Sequence, residues 1–344
     1  LESLKICMIS TESLPTPPIG YWGGIESMVW DLTTELDRMG HEVSLIARPG
    51  SKSTENGTLI ETFPDVPDEL GVNERHFNAY KDYVTLFDGI VHDHSLGKQA
   101  RTFKPCFVQT PHYRQHPQDM GYTNIISPSR SLAGWIEECT PQDQRHEIPV
   151  IHHGIDVNRF EYNPDKSDYY LYFSYIAKYK GALDALNIAK HTGVNMVFAG
   201  IEGDATQEVH DEHCRSDNIT FEGQVSNEER KDLLSNAKAL IFPTGSFGTI
   251  DWMEIFGLVQ IEALASGTPV ISSNNGACPE IVEHGKTGFI CSSYNEMREI
   301  IRSDAVSTIK NADCRSSAEN KFSSKRMAEE YINKYKKILN GELL

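Results

Sequence analysis

Apolar positions recur along the chain with two periods, and their alternation predicts the fold. Lys5 to Ser10 is a short apolar run. Met28, Leu32 and Leu36 then repeat at helical spacing within 25–39, which stops at Gly40, and Glu42 to Ala47 is apolar again. Short apolar runs separated by amphipathic stretches predict strand, loop, helix and strand, the opening unit of a doubly wound parallel sheet. Further strands are expected over Tyr83 to Asp93, Phe107 to Thr110 and Ile125 to Ser129, the last leading to a helix near Leu132 capped by Ser127 or Ser129. The stretch 163–167 is polar and carries a proline, so the linker is expected there. The pattern then restarts: strand Tyr170 to Ile176, helix Ala182 to His191, strands Val194 to Gly200 and Asn218 to Glu222, helix Asn227 to Ala237, strand Ala239 to Phe242. Leu258, Ile261, Leu264 and Ala265 predict a helix beginning near Gly257 and ended by Gly267, with a strand over Thr268 to Ser272. The class is α/β, with Rossmann-like domains over 1–162 and 168–324 and an amphipathic final helix, Lys325 to Leu339, in 325–344.

Composition narrows the function classes. With 39% hydrophobic and 24% charged residues, 344 residues suit two globular domains with proper cores. No apolar run approaches the length of a membrane span, and no signal-like segment is read at the start. The seven cysteines form no CxxC pair, so neither a zinc site nor a disulfide framework is expected, and a reducing cytoplasm is the simpler reading. A net charge of −17, from 32 basic and 49 acidic residues, repels nucleic acid and argues against docking on anionic membranes.

Candidate chemistry gathers in four places. Glu254 and Glu262 bracket a turn, with seven residues between them and a predicted helix N-terminus in the middle. Free N–H groups at such a terminus suit a phosphate, and the flanking carboxylates suit sugar hydroxyls. Gly23-Gly24 precedes another helix, where backbone can approach a phosphate closely. That loop lacks both the dinucleotide G-x-G-x-x-G and the P-loop Gly-Lys-Ser/Thr. His92-Asp93-His94 and Pro111-His112 end strands at the carboxyl edge, where doubly wound sheets place ligands. His92 and His94 are expected on opposite faces of their strand, which speaks against a shared metal. Lys178 and Lys180 follow the first strand of the second domain.

Residues 254–270 read E-I-F-G-L-V-Q-I-E-A-L-A-S-G-T-P-V, which resembles the E-x7-E signature of the retaining glycosyltransferases of family 4 at every fixed letter. Gly-Gly-Ile-Glu at 23–26, Lys180-Gly181 and His153-Gly154-Ile155-Asp156 with Phe160 resemble further motifs of that family. The resemblance implies a GT-B architecture, two Rossmann-like domains facing a central cleft, with the final helix crossing back to the first domain. It implies transfer of a sugar from a nucleotide diphosphate sugar to an acceptor with retained configuration, without a metal or other cofactor, and with a UDP-sugar slightly favoured. Lys180, Glu254 and His112 are then the catalytic candidates. Gly23, Gly24, Lys178, Phe256, Gly257, Leu258, Val259 and Glu262 would bind the donor. His94 would touch sugar or acceptor, and Gln224 and Val225 the base. The sequence departs from the family at Ser174-Tyr175, where Gly-Arg is usual, and tyrosine cannot neutralise a diphosphate. Two rivals stay open: a non-catalytic or partner-dependent nucleotide-sugar-binding subunit, and a nucleotide-sugar epimerase or hydrolase on the same fold. Neither the acceptor, the base nor the oligomeric state follows from the sequence.

Overall fold

The computed structural model describes residues 2–18, 23–62, 72–95, 106–114, 124–248 and 250–342. Contacts divide the chain into two units, Leu1–Ile155 with Ser324–Leu344, and Asp156–Ser323. In the first, the order is β1 (Lys5–Ile9), α1 (Gly24–Arg38), β2 (Glu42–Ala47), β3 (Thr58–Glu61), α2 (Val72–Leu86), β4 (Ile90–Asp93), β5 (Phe107–Gln109) and α3 (Arg130–Cys139). Its five strands pair in parallel in the order β3-β2-β1-β4-β5. Cys7, Ile9, Ile46, Tyr80, Val84, Val91 and Phe107 form a core beneath that sheet, with Phe77 and Phe87 against it.

The expected strand over Tyr83 to Asp93 is corrected here. Residues through Leu86 end α2, and only Ile90–Asp93 is strand. Phe77, Tyr80, Val84 and Phe87 are spaced by three and four, the helical period, and Tyr80 and Val84 are buried in the core. The expected strand Ile125 to Ser129 is reduced to two isolated bridges, from Gln109 to Ile125 and from Ser127 to Val150. Of the two serines, Ser129 caps α3, its hydroxyl accepting from Leu132 N at 3.3 Å.

The second unit contains β6 (Tyr170–Phe173), α4 (Ala182–Thr192), β7 (Met196–Ala199), α5 (Thr206–His213), β8 (Ile219–Gly223), α6 (Asn227–Asn236), β9 (Ala239–Phe242), α7 (Leu258–Ala265), β10 (Val270–Ser273), α8 (Cys278–Ile281), β11 (Gly288–Cys291), α9 (Tyr294–Arg302) and α10 (Asn311–Lys321). Six parallel strands run β11-β10-β9-β6-β7-β8. Helix α7 ends as expected: Gly267 N bonds Leu264 O at 2.9 Å and Thr268 N bonds Ala263 O at 2.8 Å, a Schellman closure.

The stretch 163–167 is not the linker. Lys166 Nζ donates to Ser235 O, Ser266 O and Thr268 Oγ1 at 2.7, 3.0 and 2.8 Å, binding this stretch into the second unit. The division falls between Ile155 and Asp156. The final helix, α11 (Ser324–Leu339), belongs to the first unit, where it packs on α1.

Candidate functional site

In the second sheet β6 lies between β7 and β9. The chain leaves β6 toward one side of the sheet, and β9 begins the build-up of the other. Loops diverging from the carboxyl ends at such a switch point leave a crevice suited to a ligand. The loop after β6 ends in Lys180, and the loop after β9 carries Glu254. Lys180 Nζ lies 2.6 Å from Glu254 Oε2, with side chains only 15% and 8% exposed. Thr244 Oγ1 donates to the same oxygen at 2.9 Å.

The loop after β10 holds Glu254 in place. Asn275 Oδ1 accepts Glu254 N at 2.7 Å, and Asn275 Nδ2 donates to Trp252 O at 2.8 Å. Ala277 N donates to Glu254 O at 2.8 Å. Gly276 has φ of +53°, and a Cβ there would run into the Glu254 backbone, so the two segments approach as closely as glycine allows. The 243–257 loop itself turns through left-handed backbone at Gly245, Ser246 and Phe247. That turn sets the Trp252 ring 4.6 Å from Lys180 Nζ, with Tyr179 4.5 Å from Trp252.

Helix α7 starts immediately beyond, at Leu258, with Gly257 at φ of +84°. Phe256 is buried, while Gly257, Leu258 and Val259 keep part of their surface open. Glu262 lies inside α7, buried, and its carboxylate pairs with the Arg230 guanidinium on α6. Arg230 was not anticipated, because Asn-Glu-Glu-Arg-Lys reads from sequence as a solvated helix face. Lys178 departs from Lys180: its ammonium is exposed, 4.0 Å from Glu208 on α5. Gln224, exposed, and Val225, half-buried, follow the end of β8. Tyr175 is 39% exposed on the same loop as Lys180, whereas Ser174 is buried.

The histidines gather in the first unit. His92 Nδ1 meets Tyr335 Oη at 2.6 Å and His92 Nε2 meets Thr110 Oγ1 at 2.8 Å, with Tyr331 Oη 3.0 Å further on. His94 Nδ1 meets His112 Nε2 at 3.1 Å, and His112 stacks on His153 at 5.2 Å. The expectation of opposite faces for His92 and His94 is wrong: alternate residues of a strand share a face, and these rings lie 4.0 Å apart. Burial holds His92, His94 and His153 well below the usual imidazole range and pushes His112 down to about 3. All four rings are therefore neutral at pH 7. Among the described residues no group of three or more His, Cys, Asp or Glu side chains is placed to hold a metal ion.

Gly23 and Gly24 open α1 as the sequence indicates. Glu26 turns back over that terminus, accepting from Thr11 Oγ1 and from the backbone N–H groups of Glu26 and Leu14. Burial raises its pKa. The helix end offered to a phosphate thus already holds one of the chain's own carboxyls.

Comparison with known proteins agrees with this architecture. Residues 155–319 match the family model described as Glycosyl transferases group 1. The chain is 32% identical over 163 residues to an uncharacterized 41.2 kDa protein in the cps region of Klebsiella pneumoniae, covering 46% of this chain and 43% of that one. It is 28% identical over 386 residues to spore coat protein SA of Bacillus subtilis strain 168, covering 97% and 100%. Among solved structures, AviGT4, a glycosyltransferase involved in avilamycin A biosynthesis, superposes with a TM-score of 0.79 at 24% identity over 99% of each chain. HepE of Anabaena, solved with UDP and glucose, superposes at 0.69 with 15% identity over 97% and 99%. Two parallel-sheet α/β units of this kind make the GT-B fold. The matched stretch lies on the unit that carries the Lys180–Glu254 pair, and over it the chain is similar to the glycosyl transferases group 1.

Proposed function

We propose that the protein is a retaining glycosyltransferase of the family-4 type, moving a sugar from a nucleotide diphosphate sugar to an acceptor without a divalent metal. The observation that carries this reading is the Lys180–Glu254 pair at the switch point, beside the opening of α7. The departing diphosphate gains negative charge as the bond from anomeric carbon to phosphate oxygen breaks. Fixed positive groups stabilise that charge because they need no reorganisation at the moment of reaction. Lys180 Nζ supplies the full charge, and the N–H groups of Leu258 and Val259 supply the partial charge of a helix N-terminus.

Glu254, already shared by Lys180 and Thr244, orients donor hydroxyls rather than acting as a nucleophile. The acceptor hydroxyl attacks the anomeric carbon on the face the diphosphate leaves, and its proton passes to the leaving phosphate oxygen. Glu262 binds ribose hydroxyls, with Arg230 keeping its carboxylate oriented. His112 and His94, sharing one hydrogen bond and both neutral, offer ring nitrogens to hydroxyls of the sugar or acceptor. Gln224 and Val225 meet the base. A UDP-sugar is the first donor to try, since HepE was solved with UDP and glucose.

The test is a thermal-shift panel of UDP-, GDP- and ADP-sugars against the parent, Glu262→Ala and Lys180→Ala. At a donor concentration of 100 times Kd, a selective stabilisation of about 2.7 kcal/mol is expected. It should be lost in Glu262→Ala, and Lys180→Ala should weaken it as well as slow turnover. Transfer at the parent rate by both variants would overturn the site assignment. Donor binding without any turnover would favour the non-catalytic subunit.

A further inference from the structure

Lys180 has a second partner that none of the roles above uses. Its ammonium lies over the Trp252 ring at 4.6 Å from the centroid, with Tyr179 at 5.8 Å, while Glu254 takes it from another direction at 2.6 Å. We propose that Trp252 is a positioning residue for Lys180, its indole face keeping the ammonium aimed when a phosphate takes that ammonium off Glu254. The inference rests on the donor site proposed above.

Two independent features carry it. The first is what each partner demands of the lysine. A lysine ammonium has three N–H donors on a flexible four-carbon stem. Glu254 consumes one of those donors, and an arriving phosphate competes for it. A π face attracts the charge through its quadrupole and consumes no donor. Trp252 can therefore hold the ammonium equally well before and after the exchange of anions, restricting a stem that would otherwise swing. The main chain that carries the ring is itself held, because Asn275 Nδ2 donates to Trp252 O and Asn275 Oδ1 accepts from Glu254 N, tying the backbones of the two residues through one side chain.

The second feature is a stability cost. Trp252 Nε1 is buried and finds no hydrogen-bond partner among the described residues. A buried indole N–H without an acceptor destabilises the fold, and phenylalanine or leucine would avoid the penalty. The loop reaches this position through left-handed backbone at Ser246 and Phe247, conformations that side-chain-bearing residues rarely adopt. Stability alone does not account for tryptophan here. Its ring face, the strongest cation binder among the aromatic side chains, does.

The experiment measures UDP binding by calorimetry, and turnover with the sugar nucleotide found in the panel, for Trp252→Phe, Trp252→Leu, Lys180→Met and Trp252→Leu/Lys180→Met. Both single Trp252 variants are expected to melt at or above the parent temperature. UDP binding should weaken by about threefold in Trp252→Phe and about tenfold in Trp252→Leu. The double variant should bind UDP no more weakly than Lys180→Met. Site-specific fluorination of the indole at 252 should weaken binding stepwise with each fluorine, which a purely steric role would not produce. If Trp252→Leu binds UDP as the parent does while Lys180→Met does not, the inference is overturned and the donor site stands. If Lys180→Met binds UDP, GDP and ADP as well as the parent, the donor site fails and the inference with it.

Discussion

In the second unit Lys180 and Glu254 form a charged pair 2.6 Å apart that is largely shielded from water, and Arg230 with Glu262 repeats the arrangement on α6 and α7. In the first unit His92, His94, His112 and His153 are drawn together as neutral rings, linked to Thr110, Tyr331 and Tyr335 by hydrogen bonds and stacking. Both clusters sit at the carboxyl edge of a parallel sheet, yet they keep polar groups from water by different means. A paired charge is stable only while its partner stays. A neutral imidazole is stable only while it stays neutral. The second unit therefore shields its charges in pairs, and the first shields its histidines as neutral rings.

The sharpest way to break this comparison is to remove one member of the charged pair. Lys180→Met or Glu254→Gln leaves its partner buried alone, and each should destabilise the second unit by about 3 kcal/mol. Their double variant should lose less than the sum of the two, as a double-mutant cycle by chemical denaturation will measure. Strict additivity would mean the pair is not coupled. Gly276→Ala should follow, at about 2–3 kcal/mol, because the added Cβ meets the Glu254 backbone and the residue must keep a positive φ. Turnover should fall with it, since the carboxylate moves.

The neutral cluster is tested by acid. A histidine whose folded pKa is depressed contributes stability that is present above the unfolded pKa near 6.5 and is lost as pH falls toward the folded value. His92, His94 and His153 lie well below 6.5, His112 falls to about 3, and His76, buried in the same unit, to about 4. Each costs about 1.4 kcal/mol per pH unit once its unfolded form is protonated. Asp93 works the other way: burial raises it to about 7, so the folded state holds its proton between about 4 and 7 and resists acid there. Burial also raises Glu12 and Glu26 in this unit, and several histidines against these three carboxyls still predict net loss, so hydrogen exchange from pH 7.5 to 4.5 should show the first unit opening before the second. Asp93→Asn should stabilise the first unit at pH 8 and steepen its loss in acid. The smallest effect is expected at Lys178, whose exposed ammonium faces Glu208 at 4.0 Å. Lys178→Ala should change donor affinity by about twofold or less, measured beside Lys180→Ala.

Much of this was legible in the residues. Helix α7, its glycine stop and strand β9 stand where apolar spacing puts them, and Glu254 and Glu262 flank the helix opening as read. Helix α2 was missed because its aromatic residues, typical of strands, were read without their three-and-four spacing. Arg230, Asn275 and the contact of Trp252 with Lys180 each act across a sequence gap: 32 positions from Arg230 to Glu262, 21 from Glu254 to Asn275, and 72 from Lys180 to Trp252.

What the sequence by itself determined is whatever one local segment can encode: the alternation of strand and helix, the glycine that ends α7, and the E-x7-E spacing that sets two carboxylates around a helix terminus. Only the tertiary structure decided which charges meet. Strand order brings the loops after β6 and β9 to one switch point, so Lys180 rather than Lys178 reaches Glu254. The same holds for the histidines, which lie on β4, after β5 and near 153, and become neutral because packing around them excludes water. Local pattern follows from the period of the backbone. Pairing and desolvation follow from which distant segments fold against each other, and no single segment carries that information.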